Sequence, residues 1–293
     1  MKSNIRIRPA FALSFRRARA RALALAFSFA LAAVATAILA PALLASPCDD
    51  DTDRDTYFEF GDGRKGVTVH EDFEERVPAP QGAWLVQGGD NGAITLTGTK
   101  ATEAFVCARI HAWAGSEEAA RELARQVRIV ADQRGVRAEG PSQTKRARWA
   151  VAYHLFVPRE TDVEVRTVNG PISVDGIRSR LDLETVNGPI SILNAGGDVR
   201  GRTTNGPLEV VLAGARWAGR GLDLESTNGP ITVTVPQNFS ADLEFGTSNG
   251  PMEFDFPITV QGRVSKTIKT TLGSGGPPIR VLTMNGPATL QRE

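Results

Sequence analysis

Thr185-Val186-Asn187-Gly188-Pro189-Ile190-Ser191-Ile192 is one of six copies of a single pattern. The others begin at Thr167, Thr203, Ser226, Thr247 and Thr283, each with Asn-Gly-Pro in the same place. The asparagines are therefore Asn169, Asn187, Asn205, Asn228, Asn249 and Asn285, at spacings of 18, 18, 23, 21 and 36 residues. Repeats of this period build stacked architectures in which each copy buries its apolar side against its neighbours.

Aligned on Asn, the copies resolve into columns. Six residues before it stand Val163, Leu181, Val199, Leu222, Leu243 and Ile279, and two before it is always Thr or Ser. Three and five residues after it stand pairs such as Ile172/Val174, Ile190/Ile192 and Leu208/Val210. Alternation on both sides of Asn-Gly predicts two short strands per copy with the apolar side inward. Carried through the corner, the same phase places Thr and Asn inward as well. Asparagines stacked one rung apart would then satisfy one another as a ladder.

Asn-Gly is also a leading hairpin signal, because both residues tolerate positive φ. The competing architecture is thus an antiparallel meander or barrel. Proline directly after Gly removes a donor from the first position of a hairpin ladder. The reading is therefore an all-β, parallel β-helix-like solenoid. The outward columns bear on this: Arg166, Glu184, Arg202 and Glu225 alternate in sign from copy to copy. A second column, Glu164, Asp182, Arg200, Asp223 and Glu244, is less tidy. Stacked in chain order, it sets Glu164 beside Asp182 and Asp223 beside Glu244, where like charges repel.

The chain of 293 residues divides into four stretches. Residues 1–46 contain seven basic residues and no acid, the bases all within the first 21, followed by an uncharged Ala/Leu/Phe-rich run over 22–46. That order reads as an export signal, or as a retained membrane anchor through residues 22–46. Residues 47–79 are an acidic tail and lead-in; Asp51, Asp53 and Asp55 resemble the start of a calcium loop, but Thr56 stands where the Gly is needed. Residues 80–158 form a β-rich part with one helix at 117–127, capped by Ser116 and lying near the N-terminal end of the stack. Within it, Asn91-Gly92-Ala93-Ile94-Thr95-Leu96 is a degenerate early rung. Residues 159–293 carry the repeats.

Without the first 46 residues the chain has 27 basic and 33 acidic side chains, which argues against nucleic-acid binding. Two cysteines, Cys48 and Cys107, leave three states open: a disulfide, lipidation of Cys48, or free thiols. His70, His111 and His154 fall on separate predicted strands without metal-ligand spacing. Gly273-Ser274-Gly275-Gly276-Pro277-Pro278 lacks the Lys-Ser/Thr of a phosphate loop and reads as a turn. No catalytic, cofactor or metal residues are nominated; the six asparagines are the only site proposed, as a structural ladder.

The Thr-Val-Asn-Gly-x-Ile-x-Val copies, Leu155-Phe156-Val157-Pro158 and the Gly-rich turn before the last Thr-x-Asn-Gly resemble the bacterial putative-adhesin family of unknown function. The resemblance spans roughly residues 80–290 and implies a β-solenoid of the cell envelope. Proline after Asn-Gly in all six copies departs from the acidic or polar residues common there. A non-enzymatic, exported, adhesin-like or scaffolding protein is expected, facing the periplasm or the cell surface. Its partner would be an envelope component, a glycan or a protein, none of them identified by the sequence. The alternatives are a carbohydrate-active β-helix enzyme and a membrane-tethered regulatory partner.

Overall fold

The computed structural model describes Cys48, residues 66–258 and residues 266–293. Residues 1–46, the segment expected to serve in export or as an anchor through residues 22–46, and the acidic run at 49–55 lie outside the described residues. The repeats form two facing sheets, and each copy contributes one strand to each sheet. In chain order the first four rungs are β7 (Val163–Asn169) with β8 (Ile172–Asp175), β9 (Arg180–Asn187) with β10 (Ile190–Leu193), β11 (Gly197–Asn205) with β12 (Leu208–Val211), and β13 (Gly219–Asn228) with β14 (Ile231–Val235). Equivalent strands pair in parallel and in register, for example Val165 opposite Leu183 and Leu183 opposite Gly201. The architecture is a β-solenoid, and the meander is excluded by the parallel pairing.

Ahead of the rungs lie β1 (Val67–Val77), β2 (Trp84–Thr99), β3 (Ala104–Ala114), α1 (Glu117–Gln126), β4 (Arg128–Asp132), β5 (Gly135–Glu139) and β6 (Ala147–Pro158). The degenerate rung is β2, which bends between the two sheets. Its first half pairs with β7 and its second half with β8, with Asn91 opposite Asn169. Antiparallel strands finish both sheets at this end: β4 against β5, and β1 against β3 against β6. Ser116 caps α1 by accepting from the Ala119 N–H, and the helix buries Ala120, Leu123 and Ala124, the last two within the main hydrophobic core. That core continues from Val77 to Leu290.

The other end departs from chain order. After β15 (Ala241–Asn249) and β16 (Met252–Phe254), the chain forms β17 (Thr267–Leu272) and then β18 (Pro278–Asn285) with β19 (Ala288–Arg292). β18 pairs in parallel with β13 on one side and β15 on the other. β19 likewise lies between β14 and β16. The last copy is thus inserted between the fourth and fifth. β17 runs antiparallel along the outer edge of β15, covering strand edges that would otherwise be exposed. The Gly-rich stretch is the turn from β17 to β18, with Gly273 and Gly275 at φ 55° and 76°.

Candidate functional site

Each corner is a repeated set of hydrogen bonds. The buried Thr185 hydroxyl donates to the Gly170 carbonyl of the rung before it at 3.2 Å, and Thr203 donates to Gly188 at 3.0 Å. Proline offers no N–H, but its carbonyl accepts from the neighbouring rung, as in Ile172 N–H to Pro189 O at 2.9 Å. Glycine is needed for closeness rather than for left-handed backbone. Gly170, Gly188, Gly206, Gly229 and Gly250 do not have positive φ, yet a Cβ on any of them would fall on a backbone oxygen of the adjacent rung. These five corners thus do not use the positive φ that Asn-Gly tolerates; Gly286 of the last copy has φ 158°, and among the described residues the non-glycine positive φ is that of Asn194, at 51°.

The asparagine side chains hydrogen-bond in series. Asn187 Nδ2 donates to Asn169 Oδ1 at 2.8 Å, Asn205 to Asn187 at 2.8 Å and Asn228 to Asn205 at 2.9 Å. Asn285 then donates to Asn228 at 2.8 Å and Asn249 to Asn285 at 2.9 Å. Asn169 reaches Asn91 Oδ1 at 3.3 Å. They do not point inward. Asn169 and Asn187 are half-buried and the other four exposed, whereas Thr185 two residues earlier is buried. Each strand runs through its Asn and the bend comes at the following Gly, so Asn is the last strand residue, and its amide sits at the corner between the sheets instead of in the core. Beside them Val168, Val186 and Met284 are exposed.

The outer face of the sheet containing β7, β9, β11 and β13 is a continuous charged surface. Arg166 bridges Glu164 at 2.8 Å and Asp182 at 3.9 Å, and also contacts Glu184, so the like pair Glu164–Asp182 shares a cation. The other like pair expected from chain order does not occur. Arg280 of the inserted β18 stands between Asp223 and Glu244 in register. It meets Asp223 at 2.6 Å and also holds Glu225, which Arg202 reaches at 3.0 Å. These hydrogen bonds, from Arg280 first and then Arg202, lower the Glu225 pKa, while Glu225 raises that of Arg280. At the edge of the same face the Ser179 hydroxyl and the Arg180 N–H lower the pKa of Asp162, helped by the charges of Arg180 and Arg220.

The histidines are closer than the sequence suggests. His70 and His111 are cross-strand partners with ring centroids 4.7 Å apart, while His154 stacks on Phe156 at 4.2 Å. Among the described residues no three His, Cys, Asp or Glu side chains are grouped as metal ligands would be. Tyr153 is enclosed in the core, where burial raises the pKa of its hydroxyl. Cys48 is disulfide-bonded to Cys107 on β3, which settles the three states left open by the sequence.

Residues 136–291, just over half of the chain, match the model of the Toastrack DUF4097 family. The chain belongs to this family. Solved structures with a similar course include a putative cell adhesion protein from Clostridium sporogenes, at 9% identity and a TM-score of 0.44, covering 77% of this chain and 100% of the other. A putative adhesin from Bacteroides fragilis has 10% identity and a TM-score of 0.34, covering 78% and 97%. A putative lipid binding protein from Parabacteroides distasonis has 10% identity and a TM-score of 0.29, covering 80% and 98%. No curated protein matches the chain.

Proposed function

We propose that this Toastrack chain is an exported, non-enzymatic envelope protein whose solenoid presents an extended surface for adhesin-like binding or scaffolding. The observation that carries this reading is the outer charged face, where successive parallel strands hold their side chains in register over the rungs from β7 to β15. Such stacks provide long, regular binding surfaces at low cost in flexibility. Export is supported by the basic-then-apolar N-terminus and by the Cys48–Cys107 disulfide, a bond that persists in oxidising compartments.

Expression of the full chain in a bacterial host tests both parts. Alkylation followed by mass determination should find no free thiol before reduction and two after it, in a fraction that protease reaches once the outer envelope is opened. Reduced cysteines in protein confined to the cytoplasm would refute export. A glycan array combined with a reducing-end assay should show retention without new ends. Released ends would favour the carbohydrate-active enzyme instead.

A further inference from the structure

The third and fourth rungs are irregular at one place on the outer face. Gly197 pairs with Gly219, but Asp198 pairs with Gly221, so Arg220 is an extra residue without a partner in the ladder. Such a bulge in a parallel pair is uncommon, and bulges re-aim the side chain they carry. The loop leading into it is anchored by Trp217, which is buried and donates its indole N–H to the Gly197 carbonyl at 2.9 Å. Beside the bulge Gly221 has no side chain, in a column whose preceding members are Arg180 and Asp198. A depression of about 350 Å³ opens there, with Arg180 and Arg220 among its walls and Pro278 beyond Gly221.

The charges around this notch are not equally engaged. Asp223 is held by Arg280 at 2.6 Å and by Arg200 at 3.5 Å, and Asp182 lies 3.9 Å from Arg166. Among the described residues Arg180 and Arg220 form no ion pair within 4 Å, although the charges of both act on Asp162 at the edge of the face, and Asp198 is exposed between the strands that carry them. Arg180 and Gly221 are two rungs apart, about 10 Å, so both guanidiniums can converge over Asp198. Two cations with planar donor forks suit a carboxylate. An exposed carboxylate between them is unfavourable for a simple anion but accepts hydrogen bonds from hydroxyl groups.

From this combination we infer that the notch over Gly221 binds a uronic-acid unit of an acidic polysaccharide. Arg180 and Arg220 take the sugar carboxylate, and Asp198 takes ring hydroxyls. This deepens the proposed binding function by naming a ligand class and a subsite, and it rests on that reading for its setting in the envelope.

The test is calorimetric titration of the oxidised full chain with oligogalacturonate, with neutral dextran and inorganic sulfate as comparisons. Oligogalacturonate should bind and dextran should not. Arg180→Gln combined with Arg220→Gln should weaken oligogalacturonate at least tenfold while thermal unfolding stays unchanged, since both side chains are exposed. Asp198→Asn should weaken oligogalacturonate but leave sulfate equal or tighter, because only the sugar uses the carboxylate. No binding by the unmodified chain overturns the site, as does binding that ignores the arginine pair. Tighter oligogalacturonate binding by Asp198→Asn would reduce the notch to a plain anion patch and overturn the sugar assignment. A chain found reduced in the cytoplasm would refute the export reading without altering any titration, so the two failures remain distinct.

Discussion

The middle rungs and the C-terminal end are made of the same repeat but assembled by different rules. From β7 to β14 each copy stacks on the one before it in the chain, and loops of a few residues connect them. Beyond β14 the chain places β15 and β16 one rung further out, returns through β17, and fills the gap with β18 and β19. The difference shows that side-chain columns, not chain order, decide which copies are neighbours. Direct stacking of β13 on β15 would set Asp223 against Glu244. Insertion of β18 places Arg280 between them and still continues the core with Ile279 and Val281. It also puts the C-terminus inside the stack instead of leaving it as a fraying end.

Removing residues 278–293 should break this comparison most severely. In a stack built in chain order the deletion would remove only the final layer. Here it takes out an internal layer with Ile279, Val281 and Leu290, each buried and each worth roughly 1.5–3 kcal/mol. β15 would keep only its antiparallel partner β17. Hydrogen exchange should then show the amides of 241–249 losing protection while those of β7 and β9 keep theirs. Unchanged protection of 241–249 would mean that β13 and β15 can pair directly, and that the insertion contributes little.

Corner glycines test how firmly each region is clamped. A Cβ at Gly206 would overlap the Gly188 carbonyl, with rungs packed on both sides. Gly206→Ala should therefore cost ~3 kcal/mol, the upper range for overpacking. A Cβ at Gly250 would overlap Gly286 in the same way, but β16 is the edge of its sheet and can move outward. Gly250→Ala should cost ~1 kcal/mol. Shifts in denaturation midpoint at constant slope would measure both. Equal losses would show the outer rung to be as fixed as the middle.

Much of the stack was legible in the sequence because its signals are local and repeated. The spacing of Val163, Leu181 and Val199 from their asparagines fixed strand phase, and Asn91 could be placed in the stack from its neighbours alone. What could not be read required contacts across layers. The phase that buries Thr185 does not hold at Asn187, because alternation says nothing about where a chain turns its corner. The role of Gly188 is hidden for the same reason: close stacking and left-handed turning demand the same residue. Stacking order does not follow from the columns of any one copy, although two clues point to it, the 36-residue spacing before Asn285 and the misfit of Asp223 with Glu244. The candidate notch was not legible at all, since it depends on a bulge at Arg220 that no periodicity marks.

The asparagine ladder gives the smallest effects and the sharpest test of order. Each amide donates to one neighbour, and Asn→Asp removes that donor while turning a carboxylate toward the neighbouring oxygen. At half-buried or exposed positions the loss should be ~0.5–1.5 kcal/mol, the range of a single net hydrogen bond, and not the severe cost expected of an inward ladder. Asn285 lies between Asn228 and Asn249, giving to one and receiving from the other. Asn285→Asp should therefore fall within that range. Asn249 donates to Asn285 from the outer rung, where a carboxylate can turn to water, so Asn249→Asp should cost only a few tenths of a kcal/mol. Stacking in chain order reverses this ranking, because Asn249 would be internal and Asn285 terminal. A double-mutant cycle completes the distinction: Asn228 and Asn285 should couple, whereas Asn228 and Asn249 should not. Coupling between Asn228 and Asn249 would return the last copy to the end of the stack.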